Sequence, residues 1–181
     1  MSGATDFWIR WRVRTGYAVG LAAFWFAKPQ PKWIICGAGV AALGLLLRAA
    51  AAGHLRKHEK LAATGPYAHT RNPLYLGSSL LGAGFAVSSH SWVSTALLAA
   101  YLLVFYPMVM RREEKELEKL YGSEFVAYAA RVPAFWPRIL AKNSSGERYS
   151  WALYRRNREY EAAIGSLLAV ALLWVLMLWR R

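Results

Sequence analysis

The sequence contains a single cysteine, Cys36, so it offers neither a disulfide framework nor a cysteine-based metal site. It is also poor in acidic residues: 10 Asp and Glu stand against 23 Lys and Arg, which gives a net charge of +13. In a soluble protein that excess would indicate nucleic acid as a partner. This chain also has long hydrophobic segments, so a membrane surface explains the positive charge better. We therefore expect no nucleic acid as a partner. We also expect no bound metal and no obligate protein partner.

Apolar sequence is abundant: 56% of the residues are hydrophobic and nine are Trp. The apolar residues form runs rather than an amphipathic stripe. Three runs approach the roughly 20 residues that a bilayer core requires: Ile34–Ala52, Val93–Met110 and Ala162–Trp179. Two shorter runs, Tyr17–Ala27 and Leu74–Val87, lie beside longer ones and complete hairpins. The sequence therefore predicts an all-α integral membrane bundle of about five transmembrane helices.

Basic residues are distributed unevenly between the two ends of these predicted spans. With the N-terminus inside, eighteen Lys and Arg fall on the inner side and four on the outer side, while Arg48 lies within the second span. The positive-inside rule then predicts that the basic side faces the cytoplasm, with anionic lipids as its partners. We expect the protein to lie in a bacterial inner (cytoplasmic) membrane. We interpret Arg48 as extending towards the interface, with a role in a pocket as the alternative.

The polar segment Gly65–Gly77 leads directly into the third apolar run. Gly65-Pro66 predicts a turn, and Asn72-Pro73 keeps Asn72 out of helical geometry. Because Pro73 suits the first position of a helix, the preceding side chains should gather at a helix entrance that offers unpaired backbone N–H groups. The side chains brought together in this way are Tyr67, His69, Arg71, Asn72 and Tyr75.

A second polar cluster, Glu113 and Glu114, follows the fourth apolar run, and a hairpin would return it to the side of the first. One interpretation is the solvated first turn of an amphipathic helix. The other is that a carboxylate faces the bundle and binds a cation, either a ligand ammonium or Arg48 or Arg71.

Gly82 and Gly84 lie in the third run. They indicate either close helix packing, which is the commoner cause, or the approach of a flat ligand to the backbone.

Taken in order along residues 53–137, these motifs resemble one family. Gly65-Pro-Tyr-x4-Asn-Pro-x-Tyr-x-Gly77, Gly82-x-Gly84, Glu113-Glu114 and the segment Tyr121–Pro133 are similar to motifs of the integral-membrane methyltransferases. That group contains isoprenylcysteine carboxyl methyltransferases and phospholipid (phosphatidylethanolamine) N-methyltransferases. The resemblance implies methyl transfer from S-adenosylmethionine, with S-adenosylhomocysteine as product, to a membrane-embedded amphipathic acceptor. That acceptor would be an isoprenylcysteine-like carboxylate, a phospholipid amine or another hydrophobic small molecule.

The resemblance also assigns residues to the cofactor. Gly82 and Gly84 would accept the adenosyl part, and Glu113 or Glu114 the methionine ammonium. Loop residues and a later cytoplasmic segment would wall and close the pocket: Tyr67, His69, Arg71, Asn72, Pro73, Tyr75, Tyr128 and Pro133. Where the family usually has His before this Pro, the chain has Asn72, which could bind the cofactor but could not serve as an acid or base.

Catalytic candidates depend on the acceptor. A carboxylate acceptor would need a positioning cation, for which we predict Arg155 or Arg158; anchoring to anionic lipid is the alternative role of these arginines. An amine acceptor would need a base, for which Glu159, Glu161 and His69 are candidates.

We predict a single domain in three parts: an N-terminal helical hairpin (1–52), a cofactor-binding core (53–137), and an interfacial segment with the last span (138–181). Two other functions stay open at this point. An NADPH-dependent sterol-type reductase resembles part of the pattern but usually has more spans. The other is a non-enzymatic lipid-binding protein, a function that would not explain why the chain has an ordered polar loop and a pair of glutamates.

Overall fold

A computed structural model describes residues 3–57, 59–139 and 148–180 of the chain. Within these ranges all of the regular secondary structure is helical, as the sequence predicts, and there is no strand. The seven α-helices are α1 (Gly3–Trp25), α2 (Pro31–Ala52), α3 (Pro73–Ser89), α4 (Trp92–Tyr121), α5 (Ser123–Ala129), α6 (Trp151–Arg156) and α7 (Tyr160–Trp179). A single 3₁₀ turn, Gly65–Ala68, precedes α3.

Long helices stand at all five predicted spans. Among the described residues, α2, α4 and α7 are long and apolar enough to cross a bilayer. The bundle of membrane helices is therefore confirmed, whereas spanning by α1 and by the 17-residue α3 stays a prediction. Helix α3 begins at Pro73, as expected from the fixed φ of proline and its missing N–H.

Helix α4 is longer than the sequence suggested. We expected the fourth span to end at Met110 and a new helix to begin near Glu113, but α4 continues without a break for 30 residues to Tyr121. The charged segment after Met110 is rich in Arg, Glu, Lys and Leu, which are good helix formers, so nothing interrupts it. The interpretation of Glu113 and Glu114 as a first helical turn is therefore wrong. The helix ends just before Gly122, whose φ is 53°, and α5 begins at the next residue.

The chain divides into two compact units that are interleaved in sequence. The first comprises Met1–Ala42, Leu80–Arg112 and Ser166–Arg181, and the second comprises Leu43–Ser79 and Glu113–Gly165. These bounds differ from the three-part division expected from composition, and the single domain stays a prediction.

In the first unit, hydrogen bonds join the ends of different helices. The backbone N–H of Lys28, just after α1, donates to Ser89 O at the end of α3 over 2.8 Å. Arg180, at the end of α7, donates to Ala27 O over 2.5 Å. These bonds satisfy carbonyls that a helix end leaves unpaired. The same unit contains a small apolar core of Ala27, Ile34, Leu173 and Met177.

Glycines allow α2 and α3 to approach closely in this unit. A Cβ added to Gly37 would lie 2.2 Å from Gly84 O, and one added to Gly84 would lie 2.6 Å from Gly37 O. Small residues permit such backbone contact in lipid, where van der Waals packing must hold helices together. Gly39, two residues along α2, has nothing within 4 Å of its added Cβ.

We predict that Gly37→Ala destabilises the protein while Gly39→Ala does not. The first adds a methyl group to a closed contact, and overpacking costs about 1–3 kcal/mol. Both changes raise helix propensity equally, so the second is a matched control. Thermal unfolding in detergent measures both, and equal midpoints for the two variants would contradict the proposed packing.

Candidate functional site

The second unit contains the polar loop that precedes α3. Gly65 has a φ of 57°, and a Cβ there would lie 2.7 Å from His54 Nε2, so the predicted turn needs glycine. Pro66 follows within the 3₁₀ turn. Tyr67 is buried in it, and Pro73 is fully buried at the start of α3.

Residues 133–138 lie along this loop and are joined to it by hydrogen bonds; we call this contact the loop seam. Its bonds are Arg71 N to Pro133 O (2.9 Å), Arg138 N to His69 O (2.9 Å), Thr70 Oγ1 to Phe135 O (2.9 Å) and His69 Nδ1 with Arg138 O (2.7 Å). Thr70 is 1% exposed and was not among the residues predicted from sequence. The segment expected to close the loop therefore contacts it, although Pro133 itself is exposed.

Asn72 joins the loop seam to α4. Its Nδ2 donates to Ala134 O over 2.9 Å and to Glu114 Oε1 over 3.4 Å. Arg71 Nε also lies 3.4 Å from Glu114 Oε1. The expectation that the two polar clusters meet is thus confirmed, and the cation beside Glu114 is Arg71 rather than Arg48.

Two features of this cluster leave binding capacity for a ligand. Arg71 Nε is buried without a hydrogen-bond partner in the described structure, although Glu114 Oε1 lies 3.4 Å away. Glu113 is exposed and accepts a hydrogen bond of 2.6 Å from the Tyr75 hydroxyl. The cluster therefore presents one cation and two carboxylates.

Two buried tyrosines, Tyr67 and Tyr128, are joined by a hydrogen bond that holds the loop. The Tyr128 hydroxyl donates to Tyr67 O over 2.7 Å, and Tyr128 packs with Leu61 and Phe125. Burial raises the pKa of Tyr128 above its usual value, with Arg71 opposing the shift. Burial also raises the pKa of Tyr67, with Tyr128, Glu113 and Glu159 adding to it. Both phenols therefore stay protonated at neutral pH.

Arg48 has partners that the sequence did not identify. It forms an ion pair with the buried Glu159, donates to Ser78 Oγ and lies 3.3 Å from Leu74 O. The interpretation of Arg48 as extending towards the interface is wrong, since its side chain is bound within the protein. One oxygen of Glu159 is engaged by this pair, and its predicted role as a base stays a prediction.

The two predicted positioning arginines are on the surface. Arg155 lies exposed in the last turn of α6, and Arg158 is exposed and paired with Glu161. In the described part of the chain neither forms a hydrogen bond or ion pair with Glu113 or Glu114, so a role in acceptor binding stays a prediction.

Gly82 and Gly84 belong to the first unit. The contacts of Gly84 with α2 favour helix packing, and a Cβ on Gly82 would lie 3.1 Å from Leu102 Cδ1. Their role in binding the adenosyl group stays a prediction. The described residues contain no group of three or more His, Cys, Asp and Glu that could hold a metal ion.

Comparison with known proteins gives one family. The sequence model of the phospholipid methyltransferase family matches residues 33–124, just over half of the chain. Protein-S-isoprenylcysteine O-methyltransferase B of Arabidopsis thaliana is 30% identical over 83 residues, which are 46% of this chain and 42% of that protein. No solved structure matches.

Two bacterial resistance proteins are also similar. The cobalt-zinc-cadmium resistance protein CzcN of Cupriavidus metallidurans is 31% identical over 137 residues, covering 71% of this chain and 62% of its own length. The nickel-cobalt-cadmium resistance protein NccN of Alcaligenes xylosoxydans xylosoxydans is 33% identical over 111 residues, covering 61% and 46%. The chain thus spans about half to three fifths of these two relatives.

We predict that Tyr128→Phe lowers the stability at neutral pH by about 1–3 kcal/mol, because Tyr67 O loses its donor. The raised pKa of Tyr128 adds stability that is complete below the unfolded value of about 10 and is lost as the pH rises further. The difference in unfolding free energy between the wild type and Tyr128→Phe should therefore become smaller above pH 10, as measured by denaturation. Tyr121→Phe, in the same apolar cluster, is the control, and a gap that widens with pH would refute the prediction.

Proposed function

The chain belongs to the phospholipid methyltransferase family, and we propose that it transfers a methyl group from S-adenosylmethionine to an amphipathic acceptor in the membrane. The family match and the similarity to an isoprenylcysteine methyltransferase support methyl transfer over both alternatives, the reductase and the non-enzymatic lipid-binding protein. Three long apolar helices support a membrane location.

The observation that carries the cofactor assignment is the arrangement of Arg71 and Glu114 at the start of α3. The amino-acid end of the cofactor carries one ammonium and one carboxylate, so it needs an anion and a cation side by side. Glu114 and Arg71 provide these charges 3.4 Å apart, and the unpartnered Arg71 Nε can still donate a hydrogen bond. The residues present therefore fit the cofactor.

When bound, S-adenosylmethionine supplies an electrophilic methyl group on its sulfonium. The protein's task is then to align two molecules, and positioning accounts for several kcal/mol of barrier lowering in such reactions. Tyr75 and Glu113 would orient the cofactor through their shared hydrogen bond. The loop seam holds Arg71 and Asn72, and Asn72 also donates to Glu114.

Asn72 occupies the position at which the family usually has histidine. Its amide binds a backbone carbonyl of the loop seam and Glu114, which fixes the carboxylate and moves no proton. We propose a structural role for this position, so the departure from the family pattern leaves methyl transfer intact.

For the acceptor, we propose a phospholipid amine, an isoprenylcysteine-like carboxylate or a similar hydrophobic molecule that enters from the lipid. Arg155 and Arg158 would meet it near the membrane surface, where exposed arginines also attract anionic headgroups. The uneven distribution of Lys and Arg supports a cytoplasmic location of the site.

We predict that the detergent-solubilised protein binds S-adenosylhomocysteine, measured by isothermal titration. Glu114→Gln should weaken binding about tenfold or more, because hydrogen bonds to charged groups contribute about 1.5–3 kcal/mol. Glu118→Gln, one turn along α4 and exposed, is the matched control and should bind like the wild type. No binding by the wild-type protein would exclude the proposed cofactor, and equal affinities of both variants would remove Glu114 from the site.

A further inference from the structure

The second unit contains a buried ion pair that the proposed chemistry does not use. Arg48 lies in the last turns of α2, and Glu159 lies just before α7, 111 residues later. Glu159 is 7% exposed. The Arg48 side chain is 20% exposed, so both groups lose much of their hydration and the pair needs good geometry to persist.

The fold makes room for Arg48 to cross α3. A Cβ added to Gly77 would lie 2.5 Å from Arg48 Cγ and 2.9 Å from Gly44 O. Because Gly77 has no side chain, the guanidinium reaches Ser78 Oγ and Leu74 O in the first turns of α3.

Glu159 is held in place by the turn that precedes it. Asn157 Nδ2 donates to Ala52 O over 3.0 Å and to Leu55 O over 2.9 Å, at the end of α2. Arg158 adopts a φ of 54°, a conformation that costs energy outside glycine and persists where surrounding contacts enforce it. The turn thereby directs Glu159 inwards to Arg48.

Arg48 contacts the first turns of α3, and residues of the candidate site lie at this same end of the helix. Leu74 stands between Pro73 and Tyr75, and Tyr75 binds Glu113 while Asn72 binds Glu114. Electrostatics agree with this proximity, since Glu113 and Glu159 both help to raise the pKa of the Tyr67 phenol.

We propose that the Arg48–Glu159 pair is a positioning device that fixes the first turn of α3 and so sets the geometry of the cofactor residues. Arg48 and Glu159 are positioning residues in this proposal, which rests on the proposed function. Arg48 acts through its bonds to Leu74 and Ser78, and Glu159 keeps its guanidinium in place.

Two neighbouring serines give a mild test. Ser78 and Ser79 each donate to the carbonyl four residues earlier, over 2.9 and 3.0 Å, but only Ser78 accepts from Arg48. Ser78→Ala should weaken binding of S-adenosylhomocysteine about two- to tenfold in titration calorimetry, whereas Ser79→Ala should leave it unchanged. Equal affinities of the two variants would overturn the proposal.

Replacing both charges separates positioning from stability. Removing one partner leaves a buried charge and destabilises the fold, but exchanging a buried pair for apolar residues often preserves stability. We expect the double variant Arg48→Met/Glu159→Leu to keep its unfolding midpoint, to bind S-adenosylhomocysteine at least tenfold more weakly, and to exchange amide hydrogens faster across residues 72–79. Native affinity of a folded double variant for S-adenosylhomocysteine would overturn the proposal.

The cofactor-free exchange measurement keeps the two claims distinguishable. If the wild-type protein does not bind S-adenosylhomocysteine, the proposed function fails, while faster exchange in the double variant still supports the tie between the pair and α3. If the wild type binds and the double variant binds equally well, the positioning role alone fails.

Discussion

The hydrogen bonds of the loop seam, between residues 69–72 and 133–138, are the constraint on which the candidate site depends. They join the turn before α3 to the segment after α5. Both parts are irregular, and they are far apart in the sequence. Each bond contributes only about 1 kcal/mol, but together they join His69, Thr70 and Arg71 to residues 133–138. Asn72 extends the loop seam to Glu114, so the position of the loop fixes the position of the carboxylate.

The partly buried arginines of the second unit both form ion pairs. Each partly buried cation has a carboxylate beside it: Arg71 has Glu114, and Arg48 has Glu159. The difference lies in how complete the pairing is. Arg48 is engaged by three groups, whereas Arg71 Nε keeps an unused hydrogen. An incompletely satisfied pair beside an exposed carboxylate suits ligand binding, while a satisfied pair suits support.

Local signals explain what could be predicted from the sequence. Apolar runs predicted the helices, Gly65 and Pro73 predicted the turn and the start of α3, and the hairpin between α3 and α4 implied that the polar loop before α3 would meet the Glu113–Glu114 cluster. Contacts between residues far apart could not be derived in the same way. Thr70 bonds Phe135, 65 positions away, and no periodicity distinguishes Glu159 from Glu161 as the partner of Arg48. The end of α4 was misplaced because a switch from apolar to charged residues marks the edge of a membrane span without ending a helix.

The most direct test of the account is transfer of a labelled methyl group. Membranes containing the protein would be incubated with S-adenosylmethionine labelled in its methyl carbon, then separated into lipid and protein fractions. The account predicts label in one membrane fraction that depends on the wild-type chain and is lost with Glu114→Gln but kept with Glu118→Gln. Label that is equal in membranes with and without the chain would contradict it.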